Sequence, residues 1–176
     1  MFLLMKRIFK ILFSILILNF LVLEANSEEK KVENENHEFS FFTGVFDHNH
    51  ANKNSSLFGF QHENSELFRD TFFGELSPVT GGMITADNTL YMYTGVQAKY
   101  SLGNLNLIPS FTPGYYDSGN GKNMGSHMEF KSEVKLSWKL SEKNQLGMSY
   151  NHISNADAVD KNPGAESYTF NFLRKF

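Results

Sequence analysis

His152, Ser154 and Glu166 are the three residue types that a serine esterase uses, and they lie close together near the end of the chain. Histidine can act as the base and serine as the nucleophile, while a carboxylate holds the imidazole in the working tautomer. His152 and Ser154 stand two apart in Tyr150-Asn-His-Ile-Ser-Asn155, a segment of strand character. Residues two apart on a strand share a face, so base and nucleophile point the same way. Glu166 opens the following segment, where an antiparallel return can set it beside them. The residue types are common, and an isolated His-x-Ser pair on a strand is more often plain surface than a site.

The elements that would position these groups show a clear two-residue period. In the first, Leu146, Met148, Tyr150, His152 and Ser154 fall on one side, with Gly147, Ser149, Asn151 and Ile153 on the other. In the second, Glu166, Tyr168, Phe170, Phe172 and Phe176 share a side that Arg174 interrupts. Ser167, Thr169, Asn171 and Lys175 oppose them, with Leu173 as the exception. The candidate groups therefore lie at the edge of an apolar face. If that face meets lipid, a lipid ester can reach them.

The pattern extends through the chain. From Glu38 onward no helical period stands out, aromatic residues are dense, and turn-forming clusters recur. Strands are expected over 38–47, 55–63, 67–76, 89–101, 104–115, 127–140, 144–154 and 166–176. Turns or loops are expected at 49–54, at Gly81-Gly82 with Asp87-Asn88, and at 101–104, 117–125 and 157–164. Pro109 and Pro113 predict a bend or a bulge in the fifth strand. In 127–140, Met128, Phe130, Val134, Leu136, Trp138 and Leu140, with Ser132 among them, alternate with Glu129, Lys131, Glu133, Lys135, Ser137 and Lys139. That alternation suits a soluble barrel with its apolar face inward, or a membrane barrel with the same face outward. Aromatic residues make up 15% of the chain, which suits the girdles of a membrane barrel. The last residue, Phe176, is in step with Phe172, Phe170 and Tyr168, as at the carboxy terminus of outer-membrane barrels. An even number of strands closes without edges. The expected fold is all-β, an eight-stranded antiparallel transmembrane β-barrel.

The amino terminus carries a targeting pattern. Lys6, Arg7 and Lys10 precede an apolar run over 11–23, and Ala25-Asn26-Ser27 offers small residues for cleavage. Residues 1–27 thus read as a signal peptide, because the run is short for a spanning helix of about 20 residues. Residues 28–37 are polar and read as a flexible arm, which leaves 38–176 for the barrel. Removing residues 1–27 takes away Lys6, Arg7, Lys10 and Glu24, and shifts the formal net charge from −3 to −5. A nucleic-acid partner is not expected at that balance. The 176-residue chain has no cysteine, so disulfides and thiolate chemistry are excluded.

Two further constellations are weaker. His48-x-His50, with His37 and His62, invites a metal, yet these histidines lack cysteines or a spaced carboxylate set and read better as solvated. Gly119-Asn-Gly121-Lys122 lacks the spacing of a phosphate loop and reads as a turn. No metal or cofactor is expected.

His152-Ile-Ser154-Asn155-Ala156, followed by Asn162-Pro163-Gly164-Ala-Glu166, resembles the carboxy-terminal signature of the PagL-type lipid A 3-O-deacylases. Related sequences carry the description acyloxyacyl hydrolase-like. Gly44-Val-Phe-Asp47 and Pro109-Ser-Phe-Thr-Pro113-Gly114 resemble further segments of such relatives, so the likeness spans most of 39–176. The resemblance implies a metal-free esterase of the Gram-negative outer membrane, exported by a cleaved signal peptide and acting on lipid A or lipopolysaccharide. In it His152 would be the base, Ser154 the nucleophile and Glu166 the orienting group. Asn155 and the backbone N–H of Asp157 would form the oxyanion hole. The family usually has glycine where this chain has Asp157, which tolerates positive φ less well and brings a negative charge.

Two other functions fit parts of the pattern. A non-catalytic eight-stranded barrel for adhesion or envelope integrity would be indifferent to loss of Ser154. A soluble lipid-binding barrel would need an apolar lumen. The sequence leaves a homodimer open.

Overall fold

A computed structural model of the protein describes residues 37–49, 54–67, 69–71 and 74–176. The expected signal peptide and most of the expected arm lie outside the described residues. Eight long strands follow one another: β1 (His37–Phe46), β2 (Ser55–Asn64), β3 (Gly74–Thr85), β4 (Leu90–Ala98), β5 (Leu105–Asp117), β6 (Met128–Lys139), β7 (Asn144–Ser154) and β8 (Ala165–Lys175). Each pairs antiparallel with the next. β1 then pairs with β8, from Glu38 opposite Lys175 to Phe46 opposite Ser167, and closes the barrel. Closure leaves no unpaired long edge, which is the condition for a sheet to exist in hydrocarbon.

The outward face is the apolar one. Phe58, Met92, Val134, Leu136, Trp138, Leu146, Met148 and Phe170 are all exposed, while Glu129, Lys131, Glu133, Lys135 and Ser137 are buried. In water, exposing so many large apolar side chains would forgo about 1.5–3 kcal/mol each, and such a patch far exceeds what soluble monomers show. The lumen is polar and internally paired. Lys131 reaches Glu133 at 2.8 Å, Lys99 reaches Glu38 at 3.2 Å, and Gln145 donates to the same Glu38 oxygen at 2.8 Å. Towards the end that carries the 118–127 and 155–164 loops, an apolar cluster of Phe46, Leu57, Met83, Tyr91, Tyr116 and Met124 fills the interior. The apolar outer wall resolves the ambiguity of the two-residue period and removes the soluble binder, whose outer wall would have to be polar.

One strand differs from expectation. Residues 67–76 do not form the third strand; Ser65–Leu67 is a single 3-10 turn, and Arg69–Thr71 folds back on Gly74–Leu76 as a short hairpin. The strand proper runs through Gly81-Gly82, which reads as a turn in the sequence. The glycine serves packing instead. A Cβ on Gly81 would fall 2.8 Å from the ring of Tyr93 and 2.5 Å from the Phe60 carbonyl. The fifth strand accommodates its prolines without a register slip. Its pairing with β6 is continuous, whereas the β4 side is interrupted between Tyr93–Gly114 and Val96–Phe111, next to Pro113. Pro113 falls in that gap and Pro109 lies just past the last pair of the same ladder, Gln97–Ser110, so neither proline has a paired partner on β4.

Candidate active site

β7 and β8 run side by side with His152 directly opposite Glu166. Both side chains point outward, as the two-residue period requires, and His152 Nδ1 lies 3.1 Å from Glu166 Oε1. The histidine side chain is 44% exposed and the glutamate 20%, so the pair sits on the outer wall and not in the lumen. The contact fixes the tautomer: an imidazole whose Nδ1–H donates to a carboxylate presents the lone pair of Nε2 as a base. Ser154 lies two residues further along the same face, at the last position of β7. Its hydroxyl makes no hydrogen bond among the described residues. The structure thus brings His152 and Glu166 into contact and sets Ser154 beside them at the rim.

The loop 155–164 that joins the two strands is held by its own amides. Asn155 donates its N–H to Asn162 Oδ1 at 3.1 Å, and its side-chain amide donates to the carbonyls of Met124 and Lys161 at 3.0 and 2.8 Å. Asn155 is buried, and every one of its N–H hydrogens already has an acceptor. These bonds tie the 155–164 loop to the 118–127 loop. Ala156 and Asp157 both take left-handed backbone, with φ of 53° and 57°. Asp157 holds this conformation by accepting a hydrogen bond from Asn162 Nδ2 at 2.8 Å. The local interaction offsets the cost of about 1–2 kcal/mol that a side chain meets there. The Asp157 N–H has no partner among the described residues and remains available as a donor.

Three supporting residues lie outside the sequence-based set. Gly164, with φ of 60°, passes so close to the base that a Cβ would stand 2.8 Å from His152 Cε1. Asn49 Nδ2 donates to Glu166 Oε2 at 3.0 Å. His48 is no solvated loop histidine: its ring meets Tyr168 in a tilted contact at 4.4 Å, and Nδ1 lies 3.2 Å from the Glu166 carbonyl oxygen. His50 lies outside the described residues. His37 and His62 pair with each other at 2.9 Å at the far end of the barrel. Lys122, from the expected turn at 119–122, is buried and pairs with Asp47 at 2.7 Å. In the sequence, Gly164 is marked by the Asn162-Pro163-Gly164 motif and Asp47 by the Gly44-Val-Phe-Asp47 segment.

Below the His–Glu pair the outer wall is apolar. Tyr150 and Tyr168 come next on their strands, in ring contact at 5.1 Å. Beyond them a shallow groove of about 580 Å³ is lined by Phe41, Phe58, Leu136, Trp138, Leu146, Met148, Phe170 and Phe172 among others.

Residues 36–174 match the family model described as Lipid A 3-O-deacylase (PagL). The fold is similar to the crystal structure of the outer membrane enzyme PagL, with a TM-score of 0.58 at 15% identity, covering 79% of this chain and 99% of that one. It is also similar to a de novo designed transmembrane β-barrel, with a TM-score of 0.50 at 10% identity, covering 79% of this chain and 95% of that one. No curated protein matches the sequence.

Proposed function

The chain belongs to the PagL family of lipid A 3-O-deacylases, and on that premise we propose that it is an outer-membrane serine esterase that removes an ester-linked acyl chain from lipid A. The observation that carries this reading is the His152–Glu166 contact on the outer wall, with Ser154 next to it on the same face. A hydrolase of lipids needs its reacting groups on the membrane side of the rim, and an adhesive barrel has no need of an oriented imidazole there.

In the proposed reaction the substrate ester lies against the rim, with its acyl chain along the apolar wall towards Met148 and Phe170. Met148 is six positions from Ser154 and Phe170 is level with it, which is roughly 20 Å at about 3.4 Å per residue. His152 Nε2 takes the proton of Ser154 as Oγ attacks the carbonyl carbon. Glu166 stabilises the imidazolium that forms. The Asp157 N–H meets the developing oxyanion, a contribution of about 3–4 kcal/mol for a donor in a dry site. Asn155 acts from behind by holding the loop that carries this N–H. His152 then protonates the departing sugar hydroxyl, and water, activated by the same base, releases the fatty acid from Ser154. Signal-peptide removal after residue 27 and insertion of 38–176 into the outer membrane belong to the same reading.

The test is release of fatty acid from lipid A in detergent by equal amounts of folded parent and Ser154→Ala protein. The parent should release it and the variant should not. A variant with activity near that of the parent would return the protein to the inert-barrel reading.

A further inference from the structure

We propose that Asn49 is a positioning residue that fixes the plane of the Glu166 carboxylate from the first turn of the barrel; this rests on the esterase reading above. β1 ends at Phe46, and Asp47 turns the chain over the rim with φ of 53°. The Asp47 carboxylate is buried and bound to Lys122 at 2.7 Å, which anchors the turn to the 118–127 loop. The next two residues both reach Glu166. His48 donates its backbone N–H to the Glu166 carbonyl at 3.1 Å, and Asn49 Nδ2 donates to Oε2 at 3.0 Å. With His152 on Oε1, each carboxylate oxygen has its own partner.

The second partner matters because the last torsion of a glutamate is broad and not held in a staggered well. Contact with His152 alone leaves the carboxylate plane free to swing about that bond. The Asn49 amide pins Oε2 and so aims Oε1 at Nδ1. An amide is neutral, so it restrains the carboxylate and leaves its full negative charge to the imidazolium; a lysine there would neutralise it. The arrangement also makes the site a product of three elements, β7, β8 and the β1–β2 turn.

Among the described residues, the titratable side chains that β7, β8 and the first turn present around this carboxylate are His152, Tyr150, Tyr168 and His48, while Asp47 is buried against Lys122. The residue opposite His152 on β6 is Ser132, which does not titrate. A charge placed at Asn49 therefore acts mainly on the His152–Glu166 pair.

The experiment compares Asn49→Ala, Asn49→Gln and Asn49→Asp with the parent in lipid A hydrolysis, with folding checked by heat-modifiable gel mobility. Asn49→Ala should lower kcat about tenfold, or about 1.4 kcal/mol, with KM within twofold. Asn49→Gln keeps the donor and should recover at least a threefold part of that loss. Asn49→Asp should move the acid limb of kcat/KM upward by about half a pH unit, as expected for a second negative charge a few ångströms from the imidazole in a wet site. The His152 ring titration, followed by NMR of histidine-labelled protein in micelles and assigned with His152→Ala, should move the same way. A parent-like kcat in Asn49→Ala, with an unshifted Asn49→Asp titration, would overturn the proposal. A parent that hydrolyses nothing would instead refute the esterase reading, and the ring titration would then decide alone whether Asn49 is coupled to the pair.

Discussion

Replacing Gly164 by alanine should disable the site while leaving the barrel intact. The added Cβ would lie 2.8 Å from His152 Cε1, 3.5 Å from Nε2 and 3.8 Å from Nδ1. Carbon atoms in contact normally stand about 3.5–4.0 Å apart, so the ring must retreat by roughly 0.7 Å or more. His152 has room to move, because its other side is open to the membrane, but its bond to Glu166 is 3.1 Å and lengthens as it does so. A displacement of this size in a reacting group costs on the order of 100-fold in rate. A second effect comes from the backbone: at φ of 60° a side chain costs about 1–2 kcal/mol. That strain falls on one loop, and the strand ladders on either side are complete. The two effects separate by a second variant. Asparagine tolerates left-handed backbone but still carries a Cβ, so Gly164→Asn should relieve the strain and stay inactive. The assay is fatty-acid release per folded barrel, with gel mobility as the measure of folding. Gly164→Ala with more than a third of parental kcat, or recovery in Gly164→Asn, would refute the claim that close approach to the imidazole is what requires glycine.

His152→Ala should be as inactive as Ser154→Ala, and the double variant hardly worse than either, because base and nucleophile act as one unit; additive losses in kcat would contradict this. Glu166→Ala should be milder than either, since an unoriented base and a nucleophile remain. Asp157→Gly should keep or raise turnover, as glycine takes φ of 57° freely and removes a negative charge near the oxyanion; a drop of more than about tenfold in kcat, some 1.4 kcal/mol, with unchanged folding would give Asp157 a positive role. The processed protein should fractionate with the outer membrane and need detergent for extraction, and its recovery as soluble periplasmic protein would overturn the membrane placement.

The strands that carry the site are legible because their alternation is strong, with Leu173 and Arg174 as the exceptions near the end of the last one. Residues 127–140 and 166–176 give their faces from sequence alone, and the His152–Glu166 opposition follows once the two strands are adjacent. The third strand is not legible in the same way. Residues 67–76 have the aromatic content of a strand without a clear alternation, and Gly81-Gly82 looks like a turn because the reason for glycine there is the ring of Tyr93 on the neighbouring strand. The supports of the site share this difficulty. Asn49 and Glu166 are 117 residues apart, and Asp47 and Lys122 are 75 apart, so no local pattern marks either contact. Asn155 illustrates the limit from the other side. Its motif is plain in the sequence, but its bonds to the carbonyls of Met124 and Lys161 depend on how two loops meet.

The central claim is that this barrel cuts an acyl ester of lipid A through Ser154. Its most direct test is the mass spectrum of lipid A extracted from Gram-negative cells that express the parent, the Ser154→Ala variant or neither. The parent alone should convert lipid A to a species lighter by one ester-linked acyl chain, with the matching fatty acid released. Identical lipid A in all three, with the parent folded and in the outer membrane, would contradict it.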